Sequence, residues 1–151
     1  GGRTIAIDEA DAIYRPAVPA GQKTTATMPH QARTDHAWSE TTQLSNTLNF
    51  RYGALTWNAH RIHYDGDYTR GEEGYPAIVS NGGLSMHLMV DAALKHGKGT
   101  LTGCTARLVH PLWVGDHIEV RGEAQTDGKL RIWAADKNGV LCGEMDLEFA
   151  Q

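Results

Sequence analysis

Apolar residues recur at helical spacing in one long stretch of this chain and at strand spacing in several stretches after it. In LSMHLMVDAALKH, residues 84–96, Leu84, Leu88, Met89, Ala92 and Ala93 share a face, and Met86, Val90 and Leu94 widen the apolar arc. That pattern predicts a helix apolar around most of its girth and largely buried. Asn81, Gly82 and Gly83 precede it, and Gly97 supplies a left-handed stop. Downstream, the alternation predicts strands over 101–109, 117–126, 130–136 and 140–149. Ile118, Val120 and Gly122 alternate with Glu119 and Arg121, and Leu130, Ile132 and Ala134 alternate with Arg131 and Trp133. Turn chemistry separates the strands at Gly115-Asp116, Asp127-Gly128 and Asn138-Gly139, the last two being strong hairpin signals.

Upstream the pattern is weaker. Residues 38–44 read as a first strand, and Ser45 or Asn46 caps a short helix through Leu48, Phe50, Ala54 and Leu55. Residues 3–15 alternate briefly, as a strand would. Over 16–35, Pro16, Pro19, Gly21 and Pro29 sit among Thr, Ala and Gln, the texture of a linker. The expected organisation is a strand remnant and Pro/Gly linker over residues 1–30 and one domain over 31–151. A long buried helix followed by a meander of strands predicts an α+β fold, an antiparallel β-sheet wrapped around a long central α-helix.

Composition narrows the partners. With 151 residues there is room for one domain and one core. A formal net charge of -4, with no two Lys or Arg adjacent, offers no basic stripe for nucleic acid. A polyanionic ligand would be met by single local cations. There is no signal peptide and no apolar run approaching a membrane span, so the default compartment is the cytoplasm, or a mitochondrial matrix after processing. Gly1-Gly2 without an initiator Met suggests a processed, trimmed or engineered start. Cys104 and Cys142, in strand-like segments without metal-ligand spacing, read as reduced core thiols rather than a disulfide.

Residues 50–65, FRYGALTWNAHRIHYD, behave like a site rather than a core, bringing two His, an Asn, two Arg and two Tyr into one short stretch. Adding water across an enoyl thioester needs a base to take a proton from the water and donors to stabilise the thioester oxygen as it becomes enolate-like. A neutral imidazole held in one tautomer suits the first task, and His63 with Asn58 supplies such a pair, the amide orienting water or ring. Helix N-terminal N–H groups suit the second, with Gly82 and Gly83 allowing close approach. Each also has a plainer reading: a loop histidine at the surface, a tight turn at Gly82-Gly83, and Phe50, Tyr52 and Trp57 as packing. His60 and His63 invite a metal, but no third ligand stands at a convincing spacing, so no metal is expected. His87 and His96 are expected on the polar edge and at the C-terminal end of the long helix.

The stretch RYGALTWNAHRIHYDGDYTRGEEGYPAIVSNGGL resembles the MaoC-like hydratases, most closely the branch of mesaconyl-CoA, methylfumaryl-CoA and itaconyl-CoA hydratases and the mitochondrial type-2 hydroxyacyl-thioester dehydratase. That branch carries a pattern close to FRYSALTxNxHRIHYD followed by an EGYPGLVVHGPL-like run; the later PLWVGD, residues 111–116, is also similar. The resemblance implies a hotdog fold and thioester chemistry without redox cofactor or metal. By position it implies His63 as the catalytic histidine and Asn58 at the place of the wider group's catalytic Asp. Gly82 falls on the glycine whose N–H holds the thioester oxygen, and Arg61 and Tyr75 match motif positions with supporting or acyl-recognition roles.

Two departures stand out. Asn81-Gly82-Gly83-Leu84 replaces His-Gly-Pro-Leu, which removes a titratable group beside the helix start, puts Asn81 at a substrate-contact position and loosens the first turn; altered substrate choice, weaker activity and an idle domain are the open consequences. Members of the branch also often carry two repeats, and residues 7–15 resemble the closing strand of a first one. The expected partners are an acyl-CoA or acyl-carrier-protein thioester and, for assembly, a homodimer or a second hotdog subunit. The expected function is a hydratase/dehydratase of enoyl and 3-hydroxyacyl thioesters. The alternatives are a non-catalytic hotdog module that binds an acyl thioester or scaffolds an active subunit, and a thioesterase, for which no well-placed carboxylate is evident.

Overall fold

The computed structural model describes residues 2–14, 16, 19, 22, 28–124 and 128–150. The elements run β1 (Trp38–Gln43), α1 (Asn46–Leu55), a single 3-10 turn (Arg61–His63), α2 (Gly66–Gly71), α3 (Gly82–His96), β2 (Thr100–Leu108), β3 (His117–Ala124), β4 (Lys129–Ala135) and β5 (Leu141–Ala150). The five strands form one sheet in the order β1-β3-β4-β5-β2, every neighbouring pair antiparallel. The sheet curls around α3, the hotdog arrangement expected from the pattern. The β3–β4 turn falls partly at residues 125–127, outside the described residues, while Gly139 closes the β4–β5 hairpin at φ 77.

The core lies between sheet and helix. Leu84, Met89, Ala92 and Ala93 of α3 are buried, as are the inward-facing Ile118, Val120, Ile132, Ala134, Met145 and Leu147 of β3, β4 and β5. The helix is buried along one face rather than most of its girth, since Leu94 is 52% exposed. On the outer face of the sheet, residues 30–36 lie across β4. Leu141 N–H donates to His30 O, Ala32 N–H to Gly139 O, and Trp133 Nε1–H to Arg33 O at 3.0 Å. Arg33 stacks over the Trp133 ring at 4.8 Å. This strap buries Trp133, which alternation alone assigned to the solvent face.

Three local expectations are corrected. Residues 3–14 form no strand, and Ile5, Ile7, Ile13 and Tyr14 are exposed; Arg15 lies outside the described residues. Alternation supplies a strand's two faces, but a strand also needs a partner for its backbone groups, and none is present among the described residues. Gly97 is not left-handed, having φ -75 and ψ 155. Its lack of a side chain serves packing, because a Cβ there would collide with the Phe149 ring. Cys104 is exposed rather than core, while Cys142 is buried; both are free thiols. Among the described residues no helix is long and apolar enough to cross a membrane.

Candidate active site

The chain from α1 to the start of α3 folds over one end of the sheet, and one side chain organises it. Ser45 caps α1 by accepting from Leu48 N–H at 3.1 Å, which orients the helix so that Asn49 points inward and is 2% exposed. Phe50, whose plainer reading is packing, is 64% exposed, and Leu55 of the same helix is 83% exposed. Asn49 Nδ2–H donates to His63 O at 2.7 Å and to Val79 O at 3.3 Å, while its Oδ1 accepts from Asn81 N–H at 2.9 Å. One buried amide thus ties the 3-10 turn to the residue that caps α3. The segment Ile78–Ser80 runs against Leu112–Val114, with Ser80 N–H donating to Leu112 O at 2.7 Å and Val114 N–H to Ile78 O at 2.9 Å. Val79 N–H donates to Ile62 O at 2.9 Å.

His63 is held by this framework. Its Nδ1 lies 2.9 Å from Val79 O, and since a carbonyl only accepts, Nδ1 carries the proton and Nε2 keeps its lone pair. Burial lowers the imidazole's pKa below its ordinary 6.5; the Val79 bond opposes this, and nearby His60 adds a little to it. The ring is therefore a neutral base at neutral pH.

The other half of the site is the start of α3. Asn81 is its N-cap, and its Oδ1 accepts from Gly83 N–H at 3.0 Å. The Gly83 N–H is thereby taken, whereas the Gly82 N–H meets no acceptor among the described residues. A Cβ on Gly82 would come within 2.8 Å of Leu108 Cδ1, and one on Gly83 within 2.5 Å of Tyr52 Oη.

His63, Tyr75 and Gly82 line one cavity of about 600 Å³. Most of its wall is apolar, including Val79, Met89, Leu112 and Trp113, and Tyr75 stacks obliquely on Trp113 with ring centres 6.0 Å apart. Among the described residues, no Asp, Glu, Lys or Arg lines it. Cys142 does, but burial pushes its thiol up to about 12, so it is not a thiolate nucleophile.

The remaining residues singled out from sequence stand outside the lining. Asn58 is half-buried and its Oδ1 accepts from His60 N–H at 3.1 Å. Arg61 pairs with Asp65 at 2.7 Å and lies 4.0 Å over the Tyr68 ring, bracing α2, which Asp65 caps. Asn81 and Gly83 act as cap and capped residue. His87 is exposed with its Nδ1 2.7 Å from Gly83 O, and His96 stacks on Trp38 at 3.8 Å beside Glu40. Among the described residues no three His, Cys, Asp or Glu side chains converge as a metal site. Sequence reasoning missed Asn49, Ser80 and His110. For Asn49 the available signal was the absence of a clean apolar stripe in residues 46–55.

A sheet curled on one helix, with an imidazole and the helix start sharing an apolar cavity, defines a hotdog protein with a candidate site. Solved structures share the fold. The MaoC-like dehydratase from Phytophthora capsici aligns with TM-score 0.72 at 17% identity, covering 85% of this chain and 45% of that one. The (R)-hydratase from A. caviae involved in PHA biosynthesis aligns with TM-score 0.61 at 19% identity, covering 83% and 98%.

The chain belongs to the hydroxyacyl-thioester dehydratase type 2 family, whose profile matches residues 1–114. It is 38% identical over 109 residues to the mesaconyl-C(4)-CoA hydratase of Chloroflexus aurantiacus, covering 70% of this chain. It is 45% identical over 38 residues to the mitochondrial hydroxyacyl-thioester dehydratase type 2 of Saccharomyces cerevisiae, covering 25% of this chain. The matches span 37% and 14% of those relatives' lengths.

Proposed function

We propose that this domain hydrates enoyl thioesters and, in reverse, dehydrates 3-hydroxyacyl thioesters. The observation that carries the reading is the pairing, in one apolar cavity, of His63 with its tautomer set by Val79 O and the uncommitted Gly82 N–H at the start of α3. In the hydration direction His63 Nε2 takes a proton from water as the oxygen bonds to the β-carbon. The electrons of the C=C bond move onto the thioester carbonyl, whose oxygen is met by the Gly82 N–H and the positive end of α3. The enolate collapses as the imidazolium returns the proton to the α-carbon. The thioester already acidifies that position, so the scheme calls on no redox cofactor.

Asn58 enters through the loop it braces, fixing His60 beside His63, and Arg61 through its clamp on Asp65. Tyr75 shapes the acyl wall. The thioester is carried by coenzyme A or an acyl carrier protein, in the cytoplasm or a mitochondrial matrix, and the partner is a second copy or another hotdog subunit. Complexes of hotdog chains with TM-scores of 0.58 and 0.52 to this one, ChsH1-ChsH2 and HadBC from Mycobacterium tuberculosis, support such pairing.

The test is loss of enoyl-CoA absorbance across a chain-length panel with the parent and His63→Ala. The variant should lose about 10²- to 10⁴-fold in kcat, the usual contribution of a general base. Equal rates would end the assignment. The module reading, favoured by the position of Asn58 outside the cavity lining, wins if the parent binds these thioesters and turns none over.

A further inference from the structure

Most residues around the cavity are buried or half-buried, and the exposed ones mark its mouth. Among the described residues that line it, only Pro76 and Leu108 are exposed, Leu108 at 45%. Pro76 is a closed ring, whereas the Leu108 side chain turns about two bonds. The backbone of Leu108 is fixed. It ends β2, an edge strand, in register with Gly143 of β5, and the next two N–H groups, of Val109 and His110, both donate to Cys142 O at 2.9 and 3.2 Å. Only the side chain is left to move, and its two methyl groups reach different walls. Cδ1 lies 2.8 Å from the place that a Cβ on Gly82 would take at the start of α3, and Cδ2 lies 3.1 Å from the place of one on Gly143. Because both neighbours are glycines, one leucine spans the gap between the helix start and the sheet.

We propose that Leu108 is the gate of the cavity. Seated between Gly82 and Gly143, the side chain closes the opening beside the start of α3; turned outward, it admits an acyl thioester and then returns to keep water from the site. That the entrant is a thioester rests on the reading above, whereas control of entry by this side chain rests on the contacts just described. The outward turn exposes little new surface, because nearly half of the residue already meets solvent, and side chains at exposed positions exchange rotamers within nanoseconds. The return matters because a hydrogen-bond donor stabilises developing charge more strongly where water is excluded.

Cys142 lines the same cavity at 2% exposure, so its thiol reports on entry without any turnover. With the other cysteine removed as Cys104→Ser, methyl methanethiosulfonate can label only Cys142. Against that parent, Leu108→Ala should raise the labelling rate about fivefold or more, the change expected when a state open about a fifth of the time or less becomes permanently open. Leu108→Met should label as the parent does, and Leu108→Trp more slowly. Ile132→Ala, which loosens the core away from the mouth, separates entry through the gate from unfolding and should keep the parent's rate. A rate unmoved by Leu108→Ala, or raised as much by Ile132→Ala, overturns the gate. Butanoyl-CoA, which has no double bond to hydrate, should slow labelling both in the parent and in Leu108→Ala. Absence of that protection, with the Leu108 rates as expected, counts against a thioester as the ligand and leaves the gate in place.

Discussion

The two walls of the cavity are built on different physics. The wall made by α3 and the sheet is apolar packing: Met89 and Ala134 sit at 1% exposure, and their contribution scales with buried area whatever their detailed shape. The wall made by residues 46–80 is a chain of specific hydrogen bonds. Asn49 ties His63, Val79 and Asn81 together, and Thr69, at 0% exposure, bonds Asp65 O at 2.6 Å. The first wall tolerates substitution gradually. The second fails bond by bond, since each lost partner strands a buried polar group. Stability therefore resides mostly in one wall and the placement of His63 in the other.

That contrast can be broken or sharpened by mutation. Ile132→Ala, at a site of 0% exposure, should cost about 2–5 kcal/mol in denaturant unfolding yet leave the turnover per folded molecule nearly unchanged. A large fall in kcat would show that the two walls are coupled. Asn49→Ala should cost about 2–3 kcal/mol by leaving its buried partners unsatisfied. Unlike Ile132→Ala, it should lower kcat about tenfold or more with little change in KM, because Asn49 is a positioning residue for His63. Unaltered kcat would put the ordering of His63 elsewhere.

Protonation offers a subtler probe. Burial holds His63 below 6.5, so the unfolded chain binds a proton there before the folded one does. Its contribution to stability is therefore present at neutral pH and lost as pH falls through the window beneath 6.5. Urea midpoints should fall more between pH 7.5 and 5 for the parent than for His63→Gln, and the acid limb of activity should lie below 6.5. The smallest effect is expected for Arg61→Ala. Its exposed pair with Asp65 and its stacking on Tyr68 together should be worth about 1 kcal/mol or less.

Much of the scaffold was legible residue by residue. The spacing of Leu84, Leu88 and Met89 announces α3, and the Asn138-Gly139 hairpin separates two strands whose ends the structure moves by only a residue or so. Where reading failed, a neighbour distant in sequence decided the outcome. Trp133 is buried because Arg33 lies over it, Gly97 is needed because Phe149 fills the space beside it, and residues 3–14 form no strand because none of the described residues pairs with them.

The site divides the same way. His63, Gly82 and Tyr75 were identifiable from residue type and motif, and the structure brings them to one cavity. Asn49 was not, because an asparagine inside a short helix looks like a solvated residue until its three partners at 63, 79 and 81 are seen around it. Periodicity and residue chemistry are properties of neighbours along the chain, and they were enough for the long helix, the strands of the sheet and the choice of His63 as the candidate base. Which polar groups end up buried, and with what partners, depends on contacts across tens of residues, and those exist only once the chain has folded.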